Sequence, residues 1–312
     1  MAKIFVKDLT ANEPIYNVFQ VKKKELVPFK EKQGKFLSLV LGDKSGEIDA
    51  KLWDKAEEQA AGFNLYDFVA VKGMVTTYNQ KLQITIETIK KVTIKEKDLV
   101  LFLPTSPREI PEMWQQVQGK IKQITNPHLQ SLIQAVFADD QLLKGFLRAP
   151  AAKAHHQAYL GGLLEHTLNV MELARQIAAT YEGLDSDLLL TGALFHDIGK
   201  IYEFRYDIVI DYSDAGRLLG HIVIGTDLIH DKIKTVPGFP DSLRLKLLHM
   251  IVSHHGKYEW QSPKRPKFVE AAILHQADYL DAEVDKFLRV KAEDHQEDWP
   301  YIRHLERYVF TG

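Results

Sequence analysis

Leu188-Leu189-Leu190-Thr191-Gly192-Ala193-Leu194-Phe195-His196-Asp197-Ile198-Gly199-Lys200 is the stretch that decides how the chain is read. Its first eight residues are apolar or small, the composition of a helix buried on every side. Packing gives such a helix no reason to end in an imidazole, a carboxylate and, three residues on, an ammonium. Nitrogen and oxygen donors side by side suit a cation of the Mn, Fe, Co, Ni or Zn type.

Further histidines and acids fall in similar settings. His166 ends Gly161-Gly162-Leu163-Leu164-Glu165 and starts a helical run. His221 opens an apolar stretch after Gly220. His254 and His255 close the apolar helical stretch 243–253, just before Gly256. Asp278 lies among the apolar residues of 271–281, where an acid is costly to bury without a counter-charge. His166, His196, Asp197, His221, His254, His255 and Asp278 are therefore the candidate metal ligands, enough for two ions. The chain has no cysteine, which excludes disulfides, thiolate nucleophiles and Cys-ligated zinc together. All 13 histidines lie at or after His128, so imidazole chemistry is confined to the second part of the chain.

Up-chain the hydrophobic period changes from helical to strand-like. Between about residues 15 and 94 apolar positions alternate, which predicts strands over 16–26, 35–41, 47–53, 68–78 and 82–94. Gly34, the Gly42-Asp43-Lys44-Ser45-Gly46 turn and Tyr78-Asn79-Gln80-Lys81 are the breaks. A helix is expected over 54–61, and five strands with a helix after the third is the order of an OB-fold barrel. Pro104, Pro107 and Pro111 mark 99–112 as a linker. Beyond it Met113, Val117, Ile121 and Ile124 begin a helical period expected to continue to the C-terminus. The expectation is a multidomain chain: an all-β OB-fold barrel over 1–98, the prolyl linker, and an all-α domain over 113–312.

A length of 312 residues, about twice a typical domain, agrees with two domains. With 45% hydrophobic and 26% charged residues the chain is not disordered, and its net charge of −2 does not mark it as a polyanion binder overall. Residues 1–100 nevertheless carry 17 Lys and no Arg against 14 acids, so the basic part comes first. No apolar run approaches the roughly 18 residues of a membrane span. Lys7 and Asp8 interrupt the N-terminus before a signal-peptide core develops, and a cytoplasmic location is expected.

The order His, His-Asp, His, His-His, Asp resembles the HD-domain superfamily of metal-dependent phosphohydrolases. His166, His196, Asp197 and Asp278 are similar to its essential set, and His221, His254 and His255 to the extra ligands of its two-metal branch. The Gly-Tyr-Pro motif of cyclic-dinucleotide phosphodiesterases is absent, since Gly256-Lys257-Tyr258-Glu259-Trp260 follows the histidine pair. With an OB-like first domain, the chain resembles the YhaM-type 3′→5′ exoribonucleases over nearly its whole length. That resemblance implies hydrolysis of single-stranded RNA, with single-stranded DNA as a further substrate, to nucleoside 5′-monophosphates. It also implies a divalent metal, often manganese.

Phosphodiester hydrolysis by a paired site would divide the ligands. One ion is expected on His166, His196, Asp197 and Asp278, the other on Asp197, His221, His254 and His255, with Asp197 bridging and catalytic. Lys200 is expected to set its ammonium against phosphate oxygens, or else to satisfy helix carbonyls. Glu165 and Asp281 are expected to accept from the ligand histidines. His275 is expected to be packed or at the surface, and His156 to contact substrate. On the barrel, alternation sends Leu37, Leu39, Leu41, Ile48, Ala50 and Leu52 inward and leaves Phe36, Lys51 and Trp53 outward. These, with Phe29, Lys30, Lys32 and Lys35 of the first loop and Tyr78 and Lys81 of the last, are the candidate single-strand contacts. Two other readings remain: a nucleic-acid-binding regulator with a non-catalytic HD domain, and an HD hydrolase of small nucleotides. A homo-oligomer is left open.

Overall fold

The period-two alternation of the N-terminal part closes into a barrel because each strand has one fully apolar face. In the computed structural model β1 (Pro14–Pro28), β2 (Lys35–Asp43), β3 (Gly46–Leu52), β4 (Phe68–Tyr78) and β5 (Lys81–Lys91) form a closed barrel in the order β1-β2-β3-β5-β4. The structure describes every residue except Met1, Ala2, Lys30, Glu31, Lys32, Ala154, His155, His156, Asp294 and Gln296. All neighbours pair antiparallel except β3 with β5, which run parallel and complete the closure. Leu37, Leu39, Leu41, Ile48, Ala50 and Leu52 are buried, together with Phe19, Val69, Val71 and Ile84. The short helix α1 (Ala56–Ala60) lies between β3 and β4 and seals the core with Ala56 and Ala60. At the end of this unit Leu99 and Phe102 pack with Phe68.

The chain divides into two compact units, residues 1–105 with 207–209, and residues 106–206 with 210–312. The second is helical: α2 (Ile110–Ile121), α3 (Pro127–Phe137), α4 (Asp140–Arg148), α5 (Gly162–Ala178), α6 (Ser186–Phe195), α7 (Lys200–Glu203), α8 (Asp214–Lys234), α9 (Asp241–Ser253) and α10 (Val269–Ala292). Helix starts are fixed locally. Asn126 accepts from the His128 and Leu129 amides, Asp139 from Gln141 and Leu142, Asp185 from Leu188, and Ser213 from Gly216. From Leu188 to Phe195 every residue of α6 is buried, so this helix is the axis of the domain. Its all-round apolar surface forces α5, α9 and α10 around it, and that brings their functional residues to its C-terminal end.

Two features depart from an uninterrupted helical reading. Short ribbons intervene, β6 (Phe204–Arg205) with β7 (Asp211–Tyr212) and β8 (Tyr301–Ile302) with β9 (Arg307–Tyr308). Strands of two residues are too short for their period to register in a sequence. Among the described residues no helix is long and apolar enough to cross a membrane.

Candidate metal centre

α6 ends where its last turn delivers His196 and Asp197, and α8 can pack against that turn only because Gly199 has no side chain. A Cβ on Gly199 would lie 2.0 Å from the His221 carbonyl oxygen and 2.6 Å from the Gly225 nitrogen. This close approach brings α8 against the His-Asp turn. Gly220, at φ +72°, breaks α8 just before His221 and re-aims that residue toward Asp197.

The seven candidate ligands meet around Asp197. His166 Nε2 lies 3.1 Å from Asp278 Oδ1, 3.2 Å from His196 Nε2 and 3.4 Å from Asp197 Oδ2. On the other side, His221 Nε2 and His254 Nε2 each lie 3.4 Å from Asp197 Oδ1. His254 and His255 rings pack at 4.4 Å, and His221 and His255 at 5.1 Å. Among the described residues two groups could hold a metal ion, His166 with His196 and Asp197, and His221 with His254 and His255.

The hydrogen bonds behind the cluster fix which nitrogen each histidine presents. A backbone carbonyl can only accept, so His196 Nδ1 donates to Ala193 O (2.8 Å), His254 Nδ1 to Ile251 O (2.7 Å) and His255 Nδ1 to Trp260 O (2.8 Å). His221 Nδ1 donates to Glu203 Oε1 (2.9 Å), and His166 Nδ1 to Asp281 Oδ2 (2.7 Å). All five rings thereby turn Nε2 to the centre, the arrangement in which outer acceptors orient metal-ligating imidazoles. His275, expected to be packed or at the surface, is part-buried and donates from Nδ1 to the His254 carbonyl (2.8 Å).

Charge follows from burial. Burial depresses His254, and together with His254 and His221 it pushes His255 down to about 3, so both present neutral lone pairs. Burial alone would raise Asp197, but the Lys200 and His196 charges hold its carboxyl well below the usual range. Asp278 is lowered in the same way by the bond from His166. Burial would depress His166 too, yet its bonds to Asp278 and Asp281 prevail and push it up to about 10. Lys200 Nζ lies 2.6 Å from Asp197 Oδ2, buried and raised by that carboxylate against its desolvation. It therefore pairs with the carboxylate rather than with helix carbonyls.

The donor set fits a divalent cation. Asp197 Oδ1, His221 Nε2 and His254 Nε2 are buried with no hydrogen-bond partner, and all three face one another. Unmade bonds on buried polar atoms are costly, and a cation between them removes that cost. The cluster opens into a cleft of ≈ 840 Å³ that Asp197, Lys200, His221, His255 and Asp278 line.

Two residues separate expectation from structure. Asp281 accepts from His166, but Glu165 accepts instead from Ser106 Oγ (2.6 Å) and Tyr159 OH (2.9 Å), because it lies one residue off the His166 face of α5. Glu203, which sequence reasoning missed, holds His221 through both its ring and its amide. An acid three residues after Lys200 was the available signal.

On the barrel, Phe29, Phe36 and Trp53 form one aromatic group on the outer face of β2 and the end of β3. Phe36 and Trp53 centroids lie 4.7 Å apart, Phe29 and Trp53 6.2 Å apart and stacked, and Lys51 Nζ is 5.7 Å from the Phe36 ring. Trp53 is 42% exposed, a large ring left to solvent beside a cation. Lys35 pairs with Glu57 at the surface, and Tyr78 and Lys81 oppose each other at the turn of the β4–β5 hairpin. Lys30, Lys32 and His156 lie outside the described residues.

The fold and site define a protein that joins an OB-fold barrel to an HD domain. Family models agree: the OB-fold nucleic acid binding domain matches residues 20–92 and the HD domain residues 163–283. The HD domain implies dependence on a divalent metal, and the OB-fold implies nucleic-acid binding. A 3′-5′ exoribonuclease YhaM of Shouchella clausii is 36% identical over 80% of this chain and 78% of its own length. The enzymes of that name from Listeria monocytogenes and a Geobacillus species are each 35% identical, over 82% and 80% of this chain and 81% and 76% of their own. The chain belongs to the YhaM 3′-5′ exoribonuclease family.

Proposed function

We propose that the protein is a metal-dependent 3′→5′ exoribonuclease that shortens single-stranded RNA and releases nucleoside 5′-monophosphates, with single-stranded DNA as a further substrate. The observation that carries it is the trio of buried, unpartnered donors on Asp197, His221 and His254, backed by five histidines with Nε2 turned inward. Two cations, with manganese taken from the family resemblance and Fe, Co, Ni or Zn equally suited to the nitrogen and oxygen donors, would be held by His166, His196, Asp197 and Asp278, and by Asp197, His221, His254 and His255. Such ions polarise a phosphoryl oxygen and lower the pKa of water.

The chain's own residues do the rest. Asp197 has an oxygen toward each ligand group, so one carboxylate serves both. Lys200 keeps an ammonium beside that carboxylate at the cleft wall, placed to balance charge on non-bridging phosphate oxygens. Glu203, Asp281 and three backbone carbonyls hold the imidazoles against reorientation as a phosphate enters. Phe29, Phe36 and Trp53, with Lys35, Lys51, Tyr78 and Lys81, hold the strand by stacking and charge, which every base can satisfy. A cytoplasmic location belongs to the same proposal.

Product analysis tests it. Metal-stripped protein should leave 5′-labelled single-stranded RNA at full length, and added Mn²⁺ should give a ladder shortening from the 3′ end with 5′-monophosphates released. Internal cleavage, or intact RNA with Mn²⁺ present, contradicts the proposal.

A further inference from the structure

The cleft contains a second feature that the metal cluster does not account for. Trp260 and Tyr279 stack with centroids 5.1 Å apart and planes 16° from parallel. Both line the cleft, and they remain 36% and 40% exposed. Stacked on each other and open to the cleft, the two rings offer a flat π surface beside the ligand cluster.

Their position follows from two local causes. Along α10, His275, Asp278, Tyr279, Ala282, Glu283 and Lys286 all line the cleft, the three-and-four spacing of one helix face. Tyr279 is therefore next in sequence to Asp278 and on the same wall. Trp260 arrives through the turn at Gly256, whose φ is +75° and whose Cβ would lie 2.3 Å from the His275 ring. Only glycine passes there, and the turn lays the helical turn Tyr258–Trp260 over α10. The Trp260 carbonyl accepts from His255 Nδ1, which ties the backbone that carries the indole to the ligand cluster. Lys257 Nζ sits 4.1 Å from the indole centroid and adds a cation to the aromatic pair.

A flat π surface with a cation beside it, one residue from a metal-cluster carboxylate, matches a planar base carried on a phosphodiester. We infer that Trp260 and Tyr279 form the platform on which the 3′-terminal base of the substrate stacks, and so position the scissile phosphate. This inference rests on the exoribonuclease reading and adds a base-binding subsite to it. Because every base offers a π face, the subsite reads the presence of a base and not its identity. It also requires an unpaired end, since a base within a duplex is stacked on its neighbours.

The test uses two RNAs of equal length, one with an ordinary 3′-terminal nucleotide and one whose 3′-terminal residue is abasic, cut by wild type, Tyr279→Ala and Tyr279→Phe with Mn²⁺. Wild type should remove the base-bearing residue about 10-fold faster in kcat/KM, the size expected for one stacked base. Tyr279→Ala should lose that preference, and Tyr279→Phe, which keeps the ring, should retain it. A preference that persists in Tyr279→Ala, or equal cutting of both RNAs by wild type, overturns the subsite while leaving the exoribonuclease reading intact. If wild type shortens neither RNA, that reading fails and the subsite fails with it.

Discussion

The barrel and the helical unit place their functional side chains in opposite ways. In the barrel the core is an apolar cluster, and Phe36, Lys51 and Trp53, with Phe29 from just past the end of β1, gather outside it. In the helical unit His166, His196, Asp197, Lys200 and His254 are themselves buried, at the end of the most apolar helix of the chain. The difference fits the two roles proposed for these surfaces. A strand of variable sequence can be held by exposed rings that tolerate any base. Charge stabilisation needs donors fixed beforehand in a place that excludes bulk water.

Breaking the buried side should have the largest effect. Asp197→Ala removes the carboxylate that faces both histidine groups and should abolish cleavage while leaving RNA affinity near wild type. Parallel loss of both in gel-shift and cleavage assays would show that the two regions do not divide the work. One layer out, Glu203→Gln keeps the shape but removes the charge behind His221, and metal affinity should fall about 10- to 100-fold, read by titration with Mn²⁺. On the barrel, Trp53→Ala should weaken RNA binding by about 10-fold and leave the rate at saturating RNA unchanged, a KM effect without a kcat effect.

The smallest effect concerns stability. Hydrogen bonds from Arg175 and Lys120 hold Glu172 down to about 2 from 4.5, so this group's contribution is complete above pH 4.5 and lost as pH falls toward 2. Glu172 is 41% exposed, and solvent screening keeps the effect small. Glu172→Gln should lower Tm slightly at neutral pH, where the charge contributes in full, and the difference from wild type should shrink from pH 4.5 downward and vanish near pH 2.

The two regions were also legible to different degrees. Alternation gave the barrel's inner and outer faces directly, down to Phe36 and Trp53, because a strand's period of two reports on both sides. His196-Asp197 stood out because polar groups ended an apolar helix, and the structure brings the other five ligand candidates to it. What the sequence concealed depends on close approaches between segments distant in the chain. Glu203 reaches His221 because Gly199 lets α8 approach, and Trp260 reaches Tyr279 through the turn at Gly256. Neither relation has a period. The ribbons β6–β7 and β8–β9 were hidden for the same reason, their strands being two residues each.

Counting the metal tests the central claim most directly. The protein is stripped, reloaded with Mn²⁺, freed of excess by gel filtration, and its manganese measured by mass spectrometry against its protein concentration. Two ions per chain are expected from ligand groups that share Asp197. A chain that retains one ion or none would contradict the paired centre.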